Sequence, residues 1–417
     1  MSSDVIVRLY DVGFGDCVLV VVPGDPPRTN LDDAGFHAHG KGAFSGKGLA
    51  VRVIEDVTKI SGRARIDVVV ATHRHQDHVY SFNAPEWDEV EVGEVWMPWV
   101  EDRQNPEAVK LWKKREELAA RLAAALPSFG LDKDTRADVD FLLWNAGEGA
   151  PMFPGWSNRG ALDRLHEGFA ARDREEPRFL PETDLSPESF TTAVLPGVTV
   201  HVLGPPRDAA RLTEGDPERD GETYRALALT EADHAGRAVD APFSAAWKAP
   251  RDAKGGLKQD EVQRLRGLAR AVDPVFAAQA LDGMINATSL VLVLQIGRAK
   301  LLLPGDAEWG TWKIILESER ARALLRGTTF VKVGHHGSHN GTPKSLVEEV
   351  LKPGTKGMIS TQEGPGTYRS RIPLPDLVSA LRDHGVALVR SDAKKSRLPK
   401  GFSRDDQGDV VEVALPM

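Results

Sequence analysis

The stretch VVVATHRHQDH, residues 68–78, places three histidines and an aspartate within six residues, shortly after an apolar, β-branched run. The run predicts a buried strand, and His73, His75, Asp77 and His78 lie in the loop that follows it. Neutral imidazoles and a carboxylate are ligands that suit zinc, manganese or iron(II). At this spacing His73 and His75 can turn toward one cation, and Asp77 and His78 toward a second. The alternative, a polar loop with coincidental histidines, explains the spacing less well.

Two later stretches repeat the pattern of a strand that ends in possible ligands. In KLLLPGDAEWG (300–310), Asp306 could bridge two metals or could cap the helix that follows. In FVKVGHHGSHNGTP (330–343), either His335 or His336 could complete the second metal site. The other histidine could contact the substrate or protonate a leaving group.

Composition narrows the function classes. The chain has 417 residues, a net charge of −8 and a single cysteine, Cys17. The charge argues against a global basic field that would attract nucleic acid or anionic lipid. One cysteine excludes an intramolecular disulfide and a cysteine-based metal cluster. The sequence shows no signal-peptide pattern and no apolar run of roughly 20 residues, so we expect no membrane association and a cytoplasmic location.

The strand patterns cluster at both ends of the chain, and helix patterns follow several of them. This arrangement predicts an α/β layered fold with two insertions, at about 100–190 and 207–282. The first insertion opens with an amphipathic helix pattern in NPEAVKLWKKREELAARLAAAL (105–126). The basic run KKSRLPKGFSR (394–404) is either a nucleic-acid footprint or a solvated charge run.

These motifs, in this order, resemble the metallo-β-lactamase fold superfamily, whose signature is H-x-H-x-D-H after a strand. The chain is more narrowly similar to the metallo-hydrolase domain of ComEC-type DNA-uptake proteins. That similarity rests on DVGFGDCVLV (11–20), DDAGF (32–36), NATSLVLVLQIGRAKLLLPGDAE (286–308) and VKVGHHGS (331–338). It covers about half of the chain and omits both insertions.

The resemblance implies a single domain over 1–417, an αββα metallo-β-lactamase sandwich with its metals at one edge between the sheets. The ligands that it implies are His73, His75, Asp77, His78, Asp306 and one of His335 and His336, with His335 preferred. Asp33 matches an aspartate that supports the site from behind the ligands. The candidate catalytic residues are Asp77 and His336. Asp11 and Asp16 match a motif that shapes the adjoining loop.

Other positions are less fixed by the resemblance. The superfamily often has one more ligand histidine, and His201, in VHVLGPP, lies roughly where it falls. ComEC-like domains commonly lack this ligand, so His201 is either a ligand or an ordinary strand residue. The candidate substrate contacts are Ser338, His339, Arg369 and Arg371.

The reaction that the resemblance implies is hydrolysis by a hydroxide that bridges two divalent cations, with zinc expected and manganese the alternative. The first hypothesis is a phosphodiesterase or nuclease that acts on a nucleic acid or a nucleotide. The second is a hydrolase of a small ester, thioester or lactam. The third is a non-catalytic subunit that binds a protein partner through the insertions.

Overall fold

The computed structural model describes residues 3–36, 44, 46–129, 158–184, 186–209, 211–213, 222–223, 274–362, 372–394 and 398–417, with scattered residues between 131 and 143. Arg369 and Arg371, and most of the predicted insertion at 207–282, lie outside these residues.

The first sheet has nine strands in the described part of the chain, drawn from both ends of the sequence. They are β1 (Asp4–Tyr10), β2 (Cys17–Val22), β3 (Arg28–Ala34), β4 (Arg65–Val70), β5 (Glu91–Pro98), β6 (Ala171–Arg172), β7 (Arg178–Leu180), β15 (Phe402–Arg404) and β16 (Val410–Pro416). Their order is β15-β16-β1-β2-β3-β4-β5-β6, with β7 also paired to β5. Pairing is antiparallel from β15 to β3 and parallel beyond β3. The loops after β3, β4 and β5 therefore leave the same edge of the sheet.

The second sheet has seven strands among the described residues. They are β8 (Glu188–Thr191), β9 (Val198–Gly204), β10 (Val291–Ile296), β11 (Ala299–Leu303), β12 (Phe330–Lys332), β13 (Lys356–Ile359) and β14 (Ala387–Arg390). Their order is β14-β13-β12-β11-β10-β9-β8. Pairing is antiparallel from β8 to β11 and parallel from β11 to β14. The loops after β11 and β12 therefore also leave a common edge.

Helices connect many of these strands. They are α1 (Gly46–Ser61), α2 (Gln76–Val79), α3 (Pro106–Ala125), α4 (Arg159–Glu167), α5 (Pro274–Asn286), α6 (Trp309–Glu317), α7 (Glu319–Leu325) and α8 (Pro375–Asp383), with a π-helical turn at Leu346–Val350. None of the described helices is both long and apolar enough to cross a lipid bilayer.

The two sheets pack face to face around one buried core. Val7 and Val20 of the first sheet belong to the same buried cluster as Val200, Leu292 and Leu301 of the second. Because side chains alternate along a strand, each sheet presents its other face to the helices. The predicted α/β class is therefore confirmed, with two mixed sheets and helices packed against them.

The helices cover the outer faces of the sheets. Leu49 of α1 and Leu165 of α4 share a buried cluster with Leu19 of the first sheet. Trp312 of α6 and Val293 of β10 share another on the second sheet, together with residues of α7 and α8. This packing leaves the strand ends at the edges free to carry loops.

Three strands that lie in or overlap the predicted insertion at 100–190 belong to the sheets. β6 and β7 pair with β5, and β8 pairs with β9. The helix predicted at the start of this segment is α3, whose N-cap Asn105 accepts main-chain hydrogen bonds from Glu107 and Ala108. Part of this segment is thus continuous with the sheets.

The basic run at 394–404 is described except for residues 395–397. Arg404 lies in β15 and donates hydrogen bonds to the carbonyl oxygens of Ala393 and Gly408, at 2.7 and 2.8 Å. This arginine therefore ties together the turns that flank β15.

Candidate metal centre

Four strand ends meet at one edge, where the two sheets face each other. Leu290, just before β10, donates its main-chain N–H to the carbonyl oxygen of Thr72, after β4, at 2.9 Å. Gly305, after β11, has a φ of 53°, and a Cβ there would lie 2.9 Å from the Cβ of Thr72. His335, after β12, donates its N–H to the Gly305 carbonyl at 3.3 Å. The loops that carry the predicted ligands are therefore held against one another.

A buried group of four side chains converges between these loops: Asp77, His78, Asp306 and His336. Their candidate ligand atoms all lie within 4.8 Å of one another. His78 Nε2 is 3.1 Å from Asp306 Oδ2, and His336 Nε2 is 3.4 Å from the same oxygen. His336 Nε2 also lies 3.2 Å from Asp77 Oδ2. Two imidazoles and two carboxylates at this spacing could hold a metal ion.

His73 and His75 face each other beside this group. His73 Nε2 lies 3.0 Å from His75 Nδ1. The ring of His73 also lies against the ring of His78, with centroids 4.1 Å apart. Both side chains are almost fully buried. Two imidazole nitrogens thus point to a common space next to the four-residue group.

Asp33 supports the group from behind His78. Its carboxylate accepts hydrogen bonds from the Thr72 N–H at 2.8 Å and from the Thr72 hydroxyl at 2.7 Å. The same carboxylate lies 2.7 Å from His78 Nδ1, so Nε2 is the nitrogen that faces Asp306. Asp33 has a φ of 59°, a left-handed conformation that non-glycine residues rarely adopt. The strand end is therefore bent so that this carboxylate orients His78.

The electrostatics of the group favour a cation. Burial alone would lower the pKa of His78, but the facing carboxylates, Asp306 first among them, raise it well above its ordinary value. Burial would also lower the pKa of His336, but Asp306 and Asp77 outweigh burial and raise this pKa to about 10. In turn, burial pushes the pKa of Asp306 upward, but the charge of His78 holds it well below its ordinary value. Positive charge is thus stabilised where the four side chains meet.

His73 and His75 are neutral in this environment. Burial, the largest influence, lowers the pKa of His75 to about 3 and that of His73 well below its ordinary value. A neutral imidazole has a free lone pair on one nitrogen, and this is the form that binds a cation.

The two candidate histidines after β12 have different surroundings. Both have left-handed backbones, with φ of 47° at His335 and 51° at His336. His336 belongs to the four-residue group, whereas His335 Nε2 lies 3.5 Å from Asn286 Nδ2, and its Nδ1 lies 3.8 Å from Glu308 Oε1. The resemblance favoured His335 as the ligand and gave His336 a catalytic role. The geometry instead brings His336 to Asp77 and Asp306 and leaves His335 outside the four-residue group.

Lys332, to which the sequence analysis assigned no role, lies behind Asp306. Its side chain is fully buried, forms an ion pair with Asp16, and has its Nζ 3.9 Å from Asp306 Oδ1. Asp16 Oδ1 also lies 3.8 Å from His336 Nδ1. The signal in the sequence was a charged residue inside the apolar run FVKV (330–333). Lys332 therefore holds the DVGFGD loop and the Asp306 loop together.

Not all of the remaining predicted site residues lie near the four-residue group. Ser338 is buried and donates its hydroxyl to Asn340 Oδ1 at 2.9 Å, and His339 follows it in the same loop. His201 lies in mid-β9 with its Nδ1 2.7 Å from the Ser189 hydroxyl. Its neighbours Val200 and Val202 point into the core between the sheets, so His201 faces the opposite side. The structure does not bring His201 to the four-residue group.

Comparison with known proteins adds no relative. No protein-family model matches the chain, and no curated protein matches it. The fold and the buried Asp/His group are therefore the observations on which a function has to be argued.

Proposed function

We propose that the protein is a hydrolase of the metallo-β-lactamase fold superfamily that uses two divalent cations, and that its substrate is a phosphodiester. The observation that carries the proposal is the convergence of Asp77, His78, Asp306 and His336 within 4.8 Å, beside the facing pair His73 and His75. The proposal is further supported by the helices layered on two facing sheets, with these side chains at one edge.

Within the described part of the chain, some carboxylate oxygens of the four-residue group lack hydrogen bonds that a bound cation could replace. Among the described residues, neither Asp77 Oδ1 nor Asp306 Oδ1 accepts a hydrogen bond, although both atoms are buried. A buried carboxylate oxygen without a hydrogen bond is costly, and a bound cation would approach it more closely than Lys332, whose Nζ lies 3.9 Å from Asp306 Oδ1. Mixed histidine and aspartate ligands suit zinc, with manganese as the alternative.

The six side chains would divide between two positions. His73 Nε2 and His75 Nδ1 would hold one cation, and Asp77, His78 and His336 would hold the other. Asp306 would contribute to both, because its Oδ2 faces His78 and His336 and its charge also acts on His73 and His75, where it raises their pKa values against the effect of burial. When bound, such a pair of cations lowers the pKa of a water molecule and stabilises negative charge on phosphate or carbonyl oxygens.

Other residues of the protein would orient the ligands and contact the substrate. Asp33 fixes the orientation of His78 by holding its Nδ1 at 2.7 Å. Lys332 restrains Asp306 from the side away from the histidines. His335, outside the four-residue group but next to His336, is placed to contact a substrate rather than a cation. The burial of these side chains would keep bulk water away from the cations.

The choice of a phosphodiester is supported by the similarity of four stretches to the domain of ComEC-type DNA-uptake proteins. The experiment that tests it compares cleavage of labelled single- and double-stranded DNA and RNA with hydrolysis of a small ester, a thioester and a β-lactam. The protein would be loaded with zinc or with manganese, and Asp306→Asn, which keeps the size of the side chain, would be assayed alongside. Asp163→Asn, at an exposed position on α4, is the matched control.

We expect the wild-type protein and Asp163→Asn to cleave a phosphodiester, and Asp306→Asn to lose about 100-fold or more of that activity. If only the small ester, the thioester or the β-lactam is cleaved, the proposed phosphodiester substrate is wrong and the proposed hydrolase activity stands. Equal activity of Asp306→Asn and wild type on every substrate would overturn the proposed centre.

A further inference from the structure

A carboxylate from a distant part of the chain faces the outer side of His75. Asp282, in α5, has its Oδ1 3.3 Å from His75 Nε2, and the two side chains are 13% and 2% exposed. The other ring nitrogen of His75, Nδ1, faces His73 at 3.0 Å. The ring thus lies between a carboxylate on one side and the candidate cation position on the other.

α5 is fixed in this place by the helix that opens the first predicted insertion. Leu281 of α5 and Leu126, the residue just after α3, belong to one buried cluster. Ile285 of α5 and Trp112 of α3 belong to a second. Asp282 lies between Leu281 and Ile285, so these apolar contacts determine where its carboxylate points.

α3 also contacts the residue between the two histidines. The Arg74 guanidinium carbon lies 3.5 Å from the centre of the Trp112 ring, a stacked cation–π geometry. Arg74 also donates two hydrogen bonds to Glu101, at 2.9 and 2.6 Å, and all three side chains are buried. The side chain of Arg74, which lies between the two histidines in the chain, is therefore held by α3 and Glu101.

We propose that Asp282 is a positioning residue for His75, and that it keeps the proton of this imidazole on Nε2 so that Nδ1 is free for a cation. The inference rests on the proposed function, since it concerns one of the two cation positions. Metal-bound histidines commonly pair their other ring nitrogen with a carboxylate, which fixes the tautomer and the ring orientation. In this chain the carboxylate belongs to helix α5, whereas the proposed ligands follow strands β4, β11 and β12.

The test is a competition titration of zinc against a chromophoric chelator, which yields two stepwise dissociation constants. Wild type, Asp282→Ala, Asp282→Asn and the control Asp163→Ala would be compared after thermal melts have shown that each is folded. We expect Asp282→Ala to weaken one constant by about 10- to 100-fold and to leave the other unchanged. Asp282→Asn should weaken the same constant less, because its amide oxygen still accepts a hydrogen bond.

The outcomes separate the inference from the proposed function. Two unchanged constants in Asp282→Ala would overturn the role of Asp282 and leave the two-cation centre standing. An equal loss at both positions would also overturn it, since general damage to the fold would then explain the effect. A wild-type protein that binds fewer than two cations would overturn the proposed function, and the inference with it.

Discussion

His335 and His336 are neighbours with almost the same backbone conformation, yet only His336 faces the carboxylates of Asp77 and Asp306. We therefore expect His336→Ala to lose one of two bound cations and His335→Ala to retain both. The pair is internally matched, because both substitutions replace a left-handed histidine with alanine and so cost similar backbone strain. Metal content after dialysis against a zinc buffer measures the difference. Loss of a cation from His335→Ala, with His336→Ala unaffected, would reverse the assignment.

The protonation of His336 makes cation binding depend on pH. Its raised pKa, about 10, means that at neutral pH a proton occupies the nitrogen that would bind the cation. The cation must displace that proton, so affinity should rise with pH, by about tenfold per pH unit for each proton released. Titration calorimetry between pH 6.5 and 8.5, in two buffers of different ionisation enthalpy, counts the protons. A zinc affinity that stays constant over this pH range would contradict the protonation of His336 in the metal-free protein.

For individual residues, the sequence predicted which side chains lie close together but not the contacts that each one makes. The spacing in H-x-H-x-D-H and the strand before Asp306 were enough to group these residues, because both motifs follow strands. The choice between His335 and His336 could not be read from the sequence, because it depends on two successive left-handed residues. Asp282 could not be found either, since its contact with His75 spans about two hundred residues.

At the scale of the elements, α2 depends on a close approach by the chain that follows β3. A Cβ at Gly35 would lie 2.2 Å from the main-chain carbon of Asp77 and the nitrogen of His78, far inside any real contact. Gly35→Ala must therefore displace the segment that carries two ligands. We expect cation affinity to fall by at least about 10-fold, as measured by the chelator competition.

Gly62→Ala is the control for this substitution. Gly62 follows α1 with a φ of 82°, and a Cβ there meets no atom within 4 Å. The alanine should cost about 1–2 kcal/mol of backbone strain and leave cation binding unchanged. A Gly35→Ala protein that binds zinc as tightly as wild type would show that α2 tolerates displacement.

Strand and helix patterns were a good guide where hydrophobic periodicity is strong, as in β4, β10, β11 and α3. The pattern failed at the C-terminus, where β15 lies within the basic run at 394–404 and β16 follows it. β16 pairs with β1 along its whole length, from Asp4 with Pro416 to Tyr10 with Val410. Such a pairing cannot be seen locally, because its two halves are about four hundred residues apart.

At the scale of the whole molecule, β16 closes the core between the sheets. Val411, Val413 and Leu415 are buried in that core. Burying each such side chain contributes about 1.5–3 kcal/mol, so the three together are comparable with the stability of a typical domain. We expect a chain that ends at Asp409 to be unfolded, as measured by circular dichroism. A chain that lacks only Met417 should melt like wild type, and a folded, cooperative melt of the longer deletion would contradict this role.

The two-cation centre is the central claim, and the count of metal ions per chain tests it most directly. The wild-type protein would be stripped with a chelator, re-equilibrated in buffered zinc and analysed by inductively coupled plasma mass spectrometry. We predict two zinc ions per chain, falling to one or none in Asp306→Asn because Asp306 would contribute to both proposed positions. A wild-type chain that holds fewer than two zinc ions, or two zinc ions that Asp306→Asn also retains, would contradict the two-cation centre.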